Sequence, residues 1–215
     1  MRNHLVPAGR RGVLVIALGI GALVLVGCGG SKAESPADTS AHAVLLNGEG
    51  QPLRDDFNRD QDFVRLMLLV DPRCPECLRG LADTGDDVLA KLPTGARIKV
   101  YVVHEPVIGG TDKDIPAAAE LLHTTLARHY WNPTGDFGRQ MSQVLGLLHG
   151  SRPVYAWDIY LIYPPKVAWS DKDPPQPSFM MHQLPGLDNE KFPPWDAKVF
   201  ATKVIEALAA ADQKH

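Results

Sequence analysis

In this chain of 215 residues, the run Cys74-Pro75-Glu76-Cys77 has the residue types and spacing that can do chemistry. Two thiols separated by two residues come within bonding distance when the run opens a helix. Such a pair is unequal: the first sulfur sits at the helix tip, where unpaired amides favour the thiolate, and the second lies one turn in and is covered. Cys74 is therefore the candidate nucleophile. Cys77 is the candidate for attacking the resulting mixed disulfide and releasing the partner. Pro75 suits the first helical turn, where its missing N–H would have no partner anyway. Glu76 complements the helix dipole but opposes a neighbouring thiolate, whereas Arg73 favours one. Near cancellation predicts a thiolate only moderately stabilised, and so a reducing or isomerase-like potential.

The elements around this run must hold it at an edge. Val64–Val70 (VRLMLLV) reads as a strand buried on both faces. Asp71-Pro72-Arg73 breaks it, and a helical pattern follows from Pro75 to about Leu92, with Gly85 as a kink or break. Ile98–Val103 is a second strand and Trp157–Tyr163 a third, stopped by Pro164-Pro165. Between these two strands, Asp114–Arg128 reads as a helix with Pro116 in its first turn, and Phe137 to Leu148 as another. Val44 to Leu53 with Asn47-Gly48 suggests a small hairpin. Val167–Trp169 and Phe179–His182 could pair as later strands, and Asp196–Ala211 closes the chain as a helix. Strands alternating with helices predict an α/β sheet with helices on both faces, the cysteine pair at its carboxyl edge.

Composition narrows the function. The chain is 45% hydrophobic and 22% charged with a formal net charge of -3, an ordinary globular mix. The body has no basic run from which a nucleic-acid-binding face could be built. Met1–Gly12 is polar and basic, and Val13–Val26 is an apolar and glycine run. That run has the length of a signal-peptide core and is short for a helix crossing a bilayer. Leu25-Val26-Gly27-Cys28 resembles the bacterial lipobox, the alternative being an uncleaved anchor. The resemblance implies a signal peptide over 1–27 and an acylated Cys28 at the mature amino end. Gly29 behind it leans towards the outer membrane of a cell that has one. Residues 28–43 then form a tether and 44–215 the folded domain. Export would put the cysteines where disulfides form and persist.

Strand Val64–Val70, the CPEC pair, a helix, strand Ile98–Val103, further helices, strand Trp157–Tyr163, a hairpin and a last helix together resemble the thioredoxin-like superfamily. With the lipobox, the chain resembles bacterial thioredoxin-like lipoproteins. The resemblance implies a membrane-tethered thiol–disulfide oxidoreductase whose partner is an exported thiol or disulfide protein, with no organic cofactor. Two features depart from the family pattern. The family opens the third of these strands with a cis-proline packed on the active disulfide. Here that place falls on Trp157 or Asp158, Pro153 being too far upstream. At that place the carboxylate of Asp158 would oppose thiolate formation on Cys74 or serve as general base for Cys77; alternatively it caps the strand end and faces water. The second departure is the long stretch from Val103 to Trp157, which predicts a helical insertion before the third core strand.

Other chemistries are weaker matches. Two thiolates and a histidine would suit Cu(I) or another soft ion in a carrier. His104 ends the second strand and His182 lies in Met180-Met181-His182, so the alternative ligand set is Cys74, Cys77, His104 and His182. A closed four-ligand zinc site is unsupported, with no second CxxC. Asp71 stands where peroxide-reducing relatives carry Thr or Ser. A purely structural disulfide in a binding module, with Tyr130-Trp131 and Trp157 as an apolar rim, is the remaining reading.

Overall fold

A computed structural model describes residues 42–149, 151–170, 172–187 and 191–213. The leader, Cys28 and nearly all of the tether lie outside the described residues. Among the described residues no helix is long and apolar enough to cross a membrane.

The cysteine pair is held by a central sheet and the helices packed on it. Strand β1 (Val44–Leu45) leads to helix α1 (Leu53–Arg59), then strand β2 (Val64–Val70) and helix α2 (Pro75–Asp83). Strand β3 (Ile98–His104), helix α3 (Ile115–Glu120), strand β4 (Ala127–Trp131) and helix α4 (Asp136–Leu145) come next. The short strands β5 (Leu148–His149) and β6 (Arg152–Pro153) pair with each other, and β7 (Ile159–Tyr163), β8 (Phe179–His182) and helix α5 (Ala197–Asp212) complete the chain. The six-stranded sheet has the order β1-β4-β3-β2-β7-β8. Strands β1 to β4 run parallel, and β7 and β8 are antiparallel to their neighbours. The register sets Val70 beside His104 and Leu69 beside Ile159, so the ends of β2 and β3 and the start of β7 share one edge.

Strand alternation sorts the core into two layers. Met67, Leu69, Tyr101, Val103, Ile159 and Leu161 face α1 and α4. Leu66, Leu68, Val70, Val100 and Val102 face α2, α3 and α5. Helices on both faces of an α/β sheet follow, as expected. Arg65, inside the apolar β2, is fully buried. It donates to the carbonyls of Phe57 (3.0 Å), Val167 (2.9 Å) and Pro164 (2.7 Å), so a charge in a core strand ties helix α1 to the segment after β7.

Several expectations are corrected. The insertion is not only helical: β4 enters the sheet between β3 and β1. The helix expected over Asp114–Arg128 stops at Glu120, because His123 turns the chain with φ 48° and the apolar spacing continues into exposed Leu126. No hairpin forms after β1. Asn47 closes a turn through its side chain, accepting from the N–H groups of Glu49 and Gln51 at 3.0 Å each, and β1 pairs with β4. Val167–Trp169 is a loop held by side chains, with Trp169 bonded to Asn58. Helix α4 ends before Leu148, at Gly146 with φ 64°. The break at Gly85 is a π turn over Thr84–Val88. Helix α5 starts as its sequence demands, with the Asp196 carboxylate accepting from Lys198 N (2.9 Å) and Val199 N (3.0 Å).

Candidate active site

The turn from β2 into α2 is built on Asp71. Its buried carboxylate accepts from the backbone N–H groups of Arg73 (2.8 Å), Ile108 (2.7 Å) and Gly110 (3.2 Å), which straps the segment after β3 to the turn. Its carbonyl accepts from Cys74 N at 3.1 Å. Cys74 is the helix N-cap, with extended backbone (φ -71°, ψ 120°), and its Sγ accepts from Cys77 N at 3.4 Å. An N-cap side chain that satisfies an orphan amide is stabilised in its anionic form by the same amide. Pro75 occupies the first turn and is exposed, as are Arg73 and Glu76. The Cys74 thiol lies 3.7 Å from Glu76 Oε2, to which it can donate.

Both cysteines are free thiols and both are buried. The expected contrast between an accessible and a covered sulfur is narrow: Cys74 is 2% exposed and Cys77 0%. Both belong to the core cluster beneath α2, and half-buried Trp157 packs against that cluster.

Asp158 precedes β7 in the left-handed region, with φ 49° and only 2% exposure. Asp and Asn tolerate this backbone better than other non-glycine residues do. The alternative in which Asp158 faces water is overturned. A ligand-capable oxygen of Asp158 and the sulfurs of Cys74 and Cys77 all lie within 4.8 Å of one another. Asp158 Oδ1 accepts from the Tyr160 hydroxyl (2.9 Å) and Gln183 Nε2 (3.0 Å). Burial pushes the Asp158 carboxyl up, while hydrogen bonds from Gln183, Tyr160 and Cys77 pull it back. Burial, then the charge of Asp158, pushes the Cys77 thiol up strongly. The protonated Cys77 thiol can therefore donate to the Asp158 carboxylate.

Residues not singled out from the sequence hold this carboxylate. Gln183 Nε2 also reaches the carbonyl of Glu76 (2.9 Å) and the Tyr160 oxygen (3.1 Å), and its Oε1 accepts from Arg79 (3.2 Å). The tip of β8 is thereby fastened to the first turn of α2. Tyr160 is fixed from behind by the Trp195 ring, with centroids 3.9 Å apart. Its hydroxyl fits because residue 80 is glycine: a Cβ there would stand 1.8 Å from that oxygen. The sequence signals were faint: Tyr160 shares a strand face with Asp158, and Gly80 follows Cys77 by one helical step.

The histidines are elsewhere. His104 Nε2 lies 3.0 Å from His129 Nδ1, their rings stacked with centroids 5.3 Å apart. Burial holds His104 well below its ordinary range and His129 down to about 4. His182 Nδ1 accepts from Leu184 N (2.9 Å) and its Nε2 lies 3.0 Å from the Phe192 carbonyl. Among the described residues, neither His104 nor His182 joins the ligand-capable atoms around the sulfurs, which corrects the histidine ligand set. The physical reason is β4, which brings His129 alongside His104 and occupies it.

No protein-family model matches the chain, and no characterised protein matches it by sequence. Two solved structures resemble it at low identity. One is a secreted Mycobacterium tuberculosis disulfide oxidoreductase homologous to E. coli DsbE, at 10% identity and a TM-score of 0.43, covering 79% of this chain and 99% of that one. The other is a candidate protein disulfide isomerase from Bacteroides thetaiotaomicron, at 9% identity and a TM-score of 0.42, covering 73% of this chain and 80% of that one. At that distance neither assigns a role to a residue here. Fold and site together define a mixed α/β protein with a central six-stranded sheet and a dithiol at the amino end of α2.

Proposed function

We propose that the protein is a thiol–disulfide oxidoreductase working through Cys74 and Cys77. The observation that carries the reading is the junction itself: a dithiol capping a helix, with a buried carboxylate against the inner thiol. In the reducing direction the Cys74 thiolate attacks one sulfur of a partner disulfide, that bond breaks, and one partner thiolate leaves. Cys77 passes its proton to Asp158 and attacks the Cys74 sulfur. The second partner thiolate departs, and the proton on Asp158 neutralises it or reaches solvent. Two electrons pass from the dithiol to the partner, and no organic cofactor enters the exchange. The reverse sequence oxidises a partner dithiol.

Two carboxylates, Glu76 and Asp158, stand near the sulfurs, whereas the Arg73 charge also acts on Asp114. Negative charge disfavours the thiolate and with it the reduced anion. This supports a reducing or isomerase-like potential, well below the roughly -120 mV of the strongest oxidants of this chemistry. The lipobox-like segment before Cys28 supports attachment through a lipid at the cell envelope, facing exported thiol or disulfide proteins.

Replacing Cys77 with Ser tests the reading. The full chain bearing C77S is expected to accumulate a mixed disulfide through Cys74 with a disulfide-bonded substrate, and C74S to form none. If C77S forms no adduct while wild type leaves the substrate disulfide intact, the reading fails.

A further inference from the structure

The three groups that meet at the end of β2 form more than an exchange site. The geometry points to Cys74, Cys77 and Asp158 as a three-ligand site for a borderline divalent cation of the zinc class, occupied only when the cysteines are reduced. Both sulfurs and a carboxylate oxygen lie within 4.8 Å of one another. An ion at their centre would sit within about 2.8 Å of each, so contraction by roughly 0.5 Å at the sulfurs and about 0.6–0.8 Å at the oxygen reaches zinc's usual 2.3 Å to sulfur and 2.0–2.2 Å to oxygen.

The donor set decides the metal class. Two thiolates alone suit Cu(I), but a carboxylate as third donor is a hard ligand that Cu(I) does not favour. A borderline ion accepts both. The carboxylate is also held in place as metal-ligating carboxylates are: Asp158 Oδ1 takes hydrogen bonds from Tyr160 and Gln183, and Gln183 is tied to α2. All three residues are more than nine-tenths buried. Two thiolates and a carboxylate next to one another in a buried place are compensated by a dication, with the amino end of α2 adding to the balance. Zinc uptake displaces the two thiol protons as both Zn–S bonds form, and no electrons move.

The consequence concerns the same dithiol and rests on the proposed exchange only for its biological meaning. A sulfur bound to zinc cannot also be in a disulfide, so metal binding and disulfide formation exclude each other. Zinc availability then governs how much of the protein is free to exchange.

The test uses the reduced, metal-free full chain and two metals, cadmium chloride and zinc chloride. Cadmium is expected to give a sulfur-to-metal charge-transfer band saturating at one equivalent, which zinc then displaces. Asp158→Asn keeps a residue tolerant of φ 49°, and is expected to weaken zinc by at least the roughly 10- to 100-fold that loss of a partner behind a ligand costs. One equivalent of zinc should slow disulfide formation by oxidised glutathione at least tenfold, and a chelator should restore it. A wild-type chain without the band, or D158N binding zinc as tightly as wild type, overturns the inference. Should D158N fold poorly, the glutathione measurement on wild type decides alone: zinc leaving the rate unchanged also overturns it. Exchange without metal binding would sink this inference and spare the oxidoreductase reading; metal binding without exchange would do the reverse.

Discussion

Two of the buried carboxylates on one edge of the sheet, Glu105 and Asp158, serve different ends. Glu105 follows the last residue of β3, and Asp158 precedes β7 across β2. Burial pushes both up, Glu105 to about 7. Each accepts a tyrosine hydroxyl: Tyr155 at 2.9 Å for Glu105 and Tyr160 at 2.9 Å for Asp158. The second donors differ. Glu105 Oε1 takes the backbone N–H of Gly138 at 2.9 Å, in the first turn of α4, and so fastens a helix to a strand end. Asp158 faces a thiol that must lose a proton to react. A raised carboxyl serves stability or chemistry according to what stands opposite.

The sharpest way to break that contrast is to neutralise each acid in turn. Asp158→Asn removes the proton acceptor of Cys77 and is expected to slow resolution of the mixed disulfide about 100-fold near neutral pH. Glu105→Gln should leave that rate within about twofold, since it touches neither sulfur. Stopped-flow release of a thiol from a preformed mixed disulfide measures both. Equal effects of the two variants would erase the distinction.

Glycines sharpen it next. Alanine at 80 places a Cβ 1.8 Å from the Tyr160 hydroxyl and 2.9 Å from Gln183 Nε2; alanine at 138 places one 2.4 Å from Glu105 Oε2. Tyr160 is fully buried beneath Trp195 and cannot swing away. Each variant is expected to lose about 1–3 kcal/mol in urea unfolding. Only Gly80→Ala should also slow exchange in the folded protein, because only there does the displaced group hold Asp158. An unchanged exchange rate in G80A would detach Tyr160 and Gln183 from the function.

How much of this could be read in the sequence follows the range of the interactions. β2, β3 and α5 were legible because their patterns are long and locally consistent. α1 was not, since Leu53 and Phe57 are the only large apolar side chains in a charged turn. β4 was hidden inside a helical rhythm that the chain abandons at His123. The cysteine pair is a local motif, and Asp158 could be located by counting back from Pro164. Gln183 could not: its bond to the Glu76 carbonyl spans 107 residues. The histidine ligand set failed for the same reason, because His104 is claimed by a residue on a strand the sequence did not reveal.

The smallest effect separates the two acids by pH. A carboxyl at about 7 in the folded protein and 4.5 when exposed binds more protons folded than unfolded between those values. Its contribution to stability is therefore fully present below about 4.5 and is lost as pH rises through 7. The Tyr155 hydroxyl explains how both forms are held: it bonds to Glu105 and to the Gly135 carbonyl at 2.6 Å, so a protonated Glu105 can donate to the tyrosine oxygen instead of accepting. Compared with Glu105→Gln, wild type should accordingly lose stability between pH 5 and pH 8, while buried His104 and His129, held low in the fold, tilt both profiles equally the other way. The amide introduced by Glu105→Gln cannot ionise, keeps an oxygen for Gly138 N and offers an N–H to Tyr155. That substitution should remove about 1–3 kcal/mol of pH-dependent loss, leaving the slopes that both proteins share. Urea midpoints at the two pH values measure it, and parallel profiles for wild type and E105Q would show that Glu105 is ionised in the fold and that burial alone does not raise it.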